Sequence, residues 1–476
     1  MEAAPRTSNE KAGVTPLLTF SILSSFLKIH DKMKAAAMTL KKLAVDDPRR
    51  VRHSLKVGLT LTVISVFYYV KALYSGLGQS TMWAVLTVVV VTEYTAGATL
   101  YKGLNRVIAT LLAGALGLGA HRLAALAGND GKSVLLGVFV FLLAAMVTFS
   151  RFVPEIKARY DYGATIFILT FSLVSVSGYR VEELIGLAHH RLSTVAIGVA
   201  ACMATSIAIF PVWAGEELHN LVASNLDTLA SFLEGVGKEY FEQKLESHKN
   251  LEGASFLIGY KSVLNSKAME DSLANFARWE PGHGQFGFRH PWKQYLKIGA
   301  LARQCACSMQ SLNGFISATE KSEALTNSEF QQNIKTACAV MCSESGKALA
   351  ELASAIRDMR PPTAAAGHLG NAATVGSQVK MMGPSETTTV EEVLLYATMA
   401  NLLLEIVHGA KHVADAVVQL ANMAKFKHAE EAKSGVAKHN GDGESLHVVI
   451  DTKLLFNYLS FDHPLNQQGG VLHNTK

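Results

Sequence analysis

The chain has 476 residues, of which 49% are hydrophobic and only 17% are charged, and its mean hydropathy is +0.21. Soluble domains carry about 25% charged residues, so a wholly soluble protein is excluded. The net charge of +5 is too small and too dispersed to predict nucleic-acid binding. Most of the apolar surplus precedes Trp213 and most carboxylates follow it, which predicts an apolar part and a soluble part.

The sequence predicts no catalytic site, metal site or cofactor. It contains no pairing of a nucleophile with a base, and it lacks the GxxxxGK[ST] phosphate loop of ATP-driven pumps. No cysteine pair forms a CxxC motif and no histidine spacing matches a zinc site. We therefore expect five free cysteines on helices in a reducing compartment: Cys202, Cys305, Cys307, Cys338 and Cys342.

Residues 1–50 are predicted to be a basic cytosolic N-terminal segment. Its cations crowd toward the first apolar run and comprise Lys28, Lys32, Lys34, Lys41, Lys42, Arg49, Arg50 and, just beyond the segment, Arg52. Such clusters keep the adjoining segment on the cytoplasmic side of a membrane. A specific lipid-binding role is the alternative. The order Asp46-Asp47-Pro48 is typical of a helix start.

Residues 51–215 are predicted to be a six-span transmembrane domain. A span needs about 20 apolar residues, and the first and third runs reach that length only if Lys56 and Arg106 are included. The most basic connections, after the second and fourth runs, predict that both chain ends are cytosolic. The six charge-poor runs are Val57–Val70, Ala72–Thr92, Val107–Ala120, Ser133–Ser150, Tyr162–Tyr179 and Leu192–Gly215.

Residues 216–427 are predicted to be a helical cytosolic domain, since apolar residues there recur with helical spacing. The segment at about 361–384, rich in Ala, Gly, Pro and Thr, predicts a flexible linker, and residues 428–476 predict a mostly disordered tail. The loop Trp279–Trp292 is either a packed loop with tryptophan anchors or a regulatory docking site. The predicted helices are Leu218–Phe241, Ser255–Phe276, Trp292–Ile316, Glu329–Met359 and Val390–Lys427.

Four stretches resemble one known family, the aluminium-activated malate transporters of plants. They are WAVLTVVVVTEYTAGATLYKGLNR (83–106), YDYGATIFILTFSLVSVSGYR (160–180), PVWAGEELH (211–219) and the loop 279–292. The resemblance covers about residues 46–426. It implies an anion channel that passes malate and often chloride or nitrate across a lipid bilayer, with six spans per subunit, a helical cytosolic domain and a homodimer. General likeness favours the plasma membrane, with the vacuolar membrane as the alternative.

Cations near or inside the spans are the candidates for an anion pathway: Arg191, Lys56, Arg106, Lys157 and Arg180. Intramembrane cations are costly and are functional by default. Arg191, which opens the sixth run, is the strongest candidate, because the resemblance also implies a pore-lining role there; an interface anchor is the alternative. Lys56 and Arg106 lie at the predicted cytosolic ends of spans. There the sequence is as compatible with a cation that anchors the helix end as with a cation that conducts anions. The resemblance implies that Leu86 is a constriction, whereas periodicity predicts a core residue.

Acidic residues near the spans need separate explanations. An unpaired Glu93 at a span end would be costly, so we expect it to pair with Lys102 or Arg106 and to influence gating. The family's aluminium response implies an outer-loop cation site at Glu182 and Glu183. Gly186 stands where some responsive members carry an acid, and aluminium needs clustered oxygens. Cytosolic anions, voltage or phosphorylation are therefore the favoured regulators.

Two other functions remain alternatives to a passive channel. A proton-coupled dicarboxylate carrier needs a titratable group within the spans, and only Glu93 and His121 come near. A membrane scaffold that binds partners through its helical domain would leave the cations within the spans unexplained.

Overall fold

The computed structural model describes residues 16–70, 82–177, 181–242, 255–287, 289–319, 329–383 and 389–426. Arg180, the first part of the second predicted span (residues 72–81) and the tail 428–476 lie outside the described residues. Within them the chain is helical, and the one β pairing is an isolated bridge between His283 and Phe286. The helices are α1 (Pro16–Asp46), α2 (Pro48–Tyr69), α3 (Met82–Val91), α4 (Ala96–Ala125), α5 (Gly128–Ser150), α6 (Pro154–Val176), α7 (Val181–Ala208), α8 (Ala214–Val236), α9 (Ser255–Leu264), α10 (Lys267–Ala277), α11 (Trp292–Thr319), α12 (Glu329–Arg357), α13 (Ala365–Met381) and α14 (Val390–Ala424).

Four described helices are long and apolar enough to cross a membrane: Ala96–Ala125, Gly131–Ser150, Ala188–Ala208 and Val390–Ala424. The first three correspond to the third, fourth and sixth predicted spans, and Met82–Val91 is a shorter apolar helix within the second. The described part of the chain is thus all-α and has the apolar helices of a membrane protein, as the sequence predicts. We call residues 48–208 the apolar half and residues 214–426 the helical half.

The helix of the third predicted span begins earlier than Val107, directly after a short turn that follows α3. The turn comprises residues 92–95, and α4 starts at Ala96. The hydroxyl of Thr95 accepts a hydrogen bond from the backbone N–H of Ala98 at 3.3 Å, which caps the helix. Lys102 and Arg106 consequently lie within a helix and do not flank a loop.

The sixth predicted span ends earlier than Gly215. Helix α7 stops at Ala208, and Phe210 adopts a left-handed backbone with a φ of 45° immediately before Pro211. A non-glycine residue with positive φ breaks a helix, and a proline cannot continue its hydrogen bonding. The segment around Gly215 instead opens α8, the first helix of the helical half.

Small residues let the helices of the apolar half approach closely. A Cβ added to Gly117 of α4 would lie 2.6 Å from Val174 of α6, and one added to Gly103 would lie 2.7 Å from Val199 of α7. Close backbone approach is how helices associate where no water drives them together. Gly103 and Gly117 of α4 are therefore packing positions, whereas a Cβ added to Gly114 or Gly119 would meet nothing within 4 Å.

The helical half has a single large core, to which all five predicted amphipathic segments contribute. They form α8, the pair α9 and α10, α11, α12 and α14. Helix α14 meets the length and hydropathy of a span, yet one face of it is buried in this core, including Tyr396, Met399 and Leu403. Its apolar surplus is thus used largely for packing against α11, α12 and α13.

The flexible linker predicted at about 361–384 is wrong. Residues 365–381 form helix α13, whose buried side chains include Leu369, Ala372 and Val379. Small residues give this helix a narrow apolar stripe, and a Cβ on Gly376 would lie 2.3 Å from the Leu404 side chain of α14. The same Ala and Gly content that indicates flexibility in isolation permits close packing here.

Candidate functional site

Arg191 lies within the apolar half and is buried, with 8% of its surface exposed. Its guanidinium carbon lies 3.9 Å from the ring centroid of Trp83 on α3, a cation–π contact that holds the side chain between α3 and α7. Among the described residues no carboxylate forms an ion pair with it. Its positive charge is therefore positioned by an aromatic face and is not neutralised.

Arg106 of α4 is a second buried cation, only 3% exposed. Its guanidinium donates a hydrogen bond of 3.1 Å to the hydroxyl of Tyr162 on α6, while its buried Nε has no partner among the described residues. Two buried cations thus share the interior of the apolar half without a described acid partner.

Lys56 of α2 is the third buried cation, 5% exposed. One turn further along α2, Thr60 donates to the Lys56 carbonyl at 2.7 Å and its hydroxyl lies 2.8 Å from that of Thr205 on α7. The described part of the chain offers Lys56 no ion pair. Helix α2 begins beside the helical half, where Arg49 pairs with Glu217 at 2.7 Å.

The three buried cations are staggered along the helices. At about 1.5 Å of rise per residue, Lys56 lies roughly 12 Å from the start of α2 and Arg106 roughly 15 Å from the start of α4. Arg191 lies roughly 25 Å from the end of α7. All three helix ends adjoin the helical half. The Arg106 side chain is buried nearly three turns inside α4.

Glu93 forms the ion pair expected of it, and of the two candidate partners it selects Lys102. Its backbone N–H donates to the Thr99 hydroxyl at 3.0 Å, which fixes the turn before α4. The Lys102 ammonium also lies 5.6 Å from the ring centroid of Tyr162, the residue that binds Arg106. The acid thus neutralises Lys102 and leaves Arg106 uncompensated.

The remaining predicted residues are more peripheral. Lys157 is exposed in the first turn of α6, near the helical half, since Asn275 donates to the neighbouring Ala158 carbonyl at 3.2 Å. Leu86 on α3 is 42% exposed. The prediction from periodicity that Leu86 is a core residue is therefore wrong within one subunit. The predicted outer-loop acids Glu182 and Glu183 fall in the first turn of α7, where the structure describes only the backbone.

Glu280, in the loop 279–292, joins the two halves and was not predicted as a functional residue. Its buried carboxylate accepts backbone N–H bonds from Gly97 at 3.0 Å, Ala214 at 2.6 Å and Gly215 at 3.0 Å. It therefore caps the positive N-termini of both α4 and α8. Burial raises the pKa of Glu280, and the three N–H donors oppose that shift.

The loop around Glu280 is a packed loop, as its aromatic residues indicate. The ring of Trp292 lies so close to Gly215 that a Cβ there would be 2.4 Å from it. The one acid in a loop that otherwise carries aromatic, glycine and basic residues was the available signal for Glu280. For the aromatic partners Trp83 and Tyr162, the signal was their place in the stretches that also carry the candidate cations.

The chain is similar to a known family over most of its length. Residues 41–382 match the family described as aluminium activated malate transporter. Aluminum-activated malate transporter 1 of Triticum aestivum is 50% identical over 398 residues, covering 83% of this chain and 86% of that protein. Two Arabidopsis thaliana relatives, aluminum-activated malate transporters 2 and 7, are 46% and 44% identical; the alignments cover 83% of this chain and 79% and 84% of those proteins.

Proposed function

The chain belongs to the aluminium-activated malate transporter family, and from this premise we propose that it is a channel that passes malate, chloride and nitrate passively. The observation that carries the proposal is the pair Arg106 and Arg191, both buried and without a described acid partner. An anion that enters a low-dielectric pore must exchange its hydration shell for fixed positive charge. Two buried guanidinium groups supply a charge that matches a dicarboxylate.

The partners of the two arginines suit conduction better than tight binding. Trp83 and Tyr162 hold the cations in place without cancelling their charge, since neither aromatic group is an anion. The stagger between Lys56, Arg106 and Arg191 lets an anion pass from one cation to the next, so that no single site holds it too strongly. Glu93 limits the excess of positive charge by pairing with Lys102.

We further propose that α2 to α7 are six spans and that the helical half is cytosolic. The basic residues of the apolar half favour this orientation, because Lys157 and the cations before α2 lie at helix ends beside the helical half. In this arrangement Lys157 adds positive charge to the cytosolic vestibule of the pore. The same topology assigns Arg180, Glu182 and Glu183 to the opposite side of the membrane. Leu86 faces outward from the subunit, which suits a constriction completed by a second copy in a homodimer of the plasma membrane or the vacuolar membrane.

Voltage-clamp recording with malate on one side tests the proposal. We expect Arg191→Ala to reduce malate and chloride currents at least about tenfold, because one desolvated charge–anion contact contributes more than about 1.4 kcal/mol. Arg122→Ala is the matched control, since Arg122 lies on α4 but is exposed. Wild-type membranes that carry no current with any anion at any voltage would refute the channel, as would equal currents from the two variants.

The proton-coupled carrier remains the alternative, and His121 is the observation that favours it. Its side chain is fully buried, Nε2 lies 3.1 Å from the Val174 carbonyl, and Nδ1 has no partner among the described residues. A carrier would move protons with malate, so its current would saturate and reverse with the pH gradient. Under the channel proposal, His121→Gln leaves the reversal potential set by the anions alone.

A further inference from the structure

Helix α1 has no part in the proposed anion pathway, and its surface is uncovered. From Lys28 to Asp46, every side chain except that of Ala44 is exposed. Strong helix formers, among them three successive alanines at 35–37, explain why the segment is helical without a core to pack against. Because packing of an apolar face supplies most of the stability of helices in proteins, an uncovered helix indicates a surface on which it lies.

One side of α1 is apolar. Its large apolar side chains recur at helical spacing and comprise Ile29, Met33, Leu40 and Leu43. We call these four residues the α1 stripe. At about 100° per residue they fall within an arc of about 80°, and between 42% and 66% of each residue is exposed. Met38 and Val45 lie on the other side, where single exposed apolar residues are ordinary.

The remaining sides of α1 are basic. Outside the arc of the stripe lie five lysines: Lys28, Lys32, Lys34, Lys41 and Lys42. None of the five forms an ion pair with a described residue, and the same segment carries only two acids, Asp31 and Asp46. An apolar stripe flanked by lysines is typical of helices that lie in the plane of a membrane interface. The lysine stems then cover the apolar boundary while the ammonium groups reach the headgroups.

The chain itself places α1 beside the apolar half. Asp47 is the one residue between α1 and α2, and its extended backbone, with φ −142° and ψ 91°, turns the chain there. Its N–H donates to the Leu43 carbonyl at 3.2 Å, and its carboxylate accepts from the Arg49 N–H at 3.1 Å. The first apolar run starts at Val57, roughly 14 Å along α2. That distance is about the thickness of one headgroup layer plus one Debye length, so the headgroups lie within reach of α1.

We propose that α1 binds the surface of the membrane leaflet beside the helical half, with the α1 stripe at the acyl boundary and its lysines among anionic lipid headgroups. The charge of the helix selects an anionic surface. A second copy of the chain suits the stripe less well, because two stripes in contact would bring their flanking lysines together. That this leaflet is the cytosolic one rests on the proposed function, whereas binding to an anionic surface does not.

The test places an environment-sensitive fluorophore on α1 of the full chain in lipid nanodiscs. Met33→Cys carries the label on the α1 stripe, and Asp31→Cys carries it on the opposite side as the matched control. Cys307→Ser removes the exposed one of the five native thiols from both. The discs contain phosphatidylcholine alone or phosphatidylcholine with phosphatidylglycerol. In the anionic discs we expect the label at position 33 to be shielded from aqueous iodide and quenched by a nitroxide-bearing lipid, and the label at position 31 to stay open to iodide.

Lysine variants that carry the label at position 33 measure the contribution of charge. Lys32→Gln and Lys41→Gln should each lower the ratio of membrane-bound to free α1 about fivefold, which corresponds to ~1 kcal/mol per lysine at an anionic surface. The control is Lys411→Gln, which removes the same charge from an exposed position on α14. We expect that control to leave the ratio unchanged.

The outcomes separate an anionic leaflet from the other occupants of the stripe. Equal iodide quenching at positions 31 and 33 would overturn the proposal, and so would shielding that is the same in neutral and anionic discs. Shielding accompanied by self-quenching between labels would assign the stripe to a second copy and overturn it too, as would an equal loss in Lys411→Gln. Currents without shielding would refute the role of α1 alone, and shielding without any current would refute the channel alone.

Discussion

Gly97→Ala tests whether the junction through Glu280 holds α4 in place. A Cβ at position 97 would lie 2.6 Å from the backbone carbonyl of Phe276 and 2.8 Å from the Glu280 carboxylate. Neither is the loose end of a flexible side chain, so the junction must open. The control is Gly119→Ala on the same helix, where an added Cβ meets nothing within 4 Å.

The expected change in the free energy of unfolding has three contributions, two that destabilise the protein and one that stabilises it. Overpacking costs about 1–3 kcal/mol, and loss of the charge-assisted bond from the Gly97 N–H to Glu280 costs about 1.5–3 kcal/mol. Replacing glycine in a helix contributes about 1 kcal/mol in the other direction. We expect Gly97→Ala to destabilise the protein by about 1.5–5 kcal/mol, and Gly119→Ala to be neutral or to stabilise it by up to about 1 kcal/mol.

Thermal unfolding of the two variants in nanodiscs, with hydrogen exchange at the start of α4, measures the effect. Gly97→Ala should lower the unfolding midpoint and speed exchange at the first turns of α4 and α8. It should also change the voltage dependence of the current, because α4 carries Arg106. If Gly97→Ala and Gly119→Ala have the same midpoint and the same exchange, the junction does not hold α4 and the reasoning is wrong.

Two further predictions concern titratable groups. Glu93→Gln frees Lys102 and so should alter gating or folding more than selectivity; unchanged currents at normal surface expression would contradict this. For His290, burial together with His219 and His283 lowers the pKa from 6.5 to about 4. Because the folded protein resists protonating this ring, the stability it contributes is complete above about pH 6.5 and is lost as the pH falls toward 4. Unfolding midpoints measured across this range should fall less steeply in His290→Phe than in the wild type, and parallel curves would exclude His290 as a cause.

Much of the architecture could be predicted because it follows from local patterns. Long apolar runs cannot remain in water, so composition identified α4, α5 and α7, which the structure shows to be long and apolar enough to cross a membrane. Helix α2 starts where Asp47 and Pro48 predict, with the Asp47 carboxylate accepting from the Arg49 N–H at 3.1 Å. Amphipathic periodicity likewise identified the main helices of the helical half. Each of these signals lies within one stretch of sequence.

The errors arose where partners distant in sequence control the outcome. Residues 361–384 have the composition of a linker, but contacts of α13 with Leu404 and Met341 make the segment a packed helix. The start of α4 has a local cap in Thr95, but the Gly97 N–H also binds Glu280, 183 residues away in the chain. Local pattern cannot report such contacts, since it carries no information about what faces an element across space.

The candidate site divides in the same way. The residue types and the family likeness sufficed to name five candidate cations, with Arg191 first, because a cation inside an apolar run needs an explanation wherever it occurs. Their role in an anion pathway stays a prediction. Folding determined that Arg191 stacks on Trp83, that Glu93 pairs with Lys102, and that Arg106 keeps its charge. Sequence shows which charged residues lie in the apolar runs. Which of these charges are neutralised depends on the residues that neighbouring helices bring against them, and only the tertiary structure determines those neighbours.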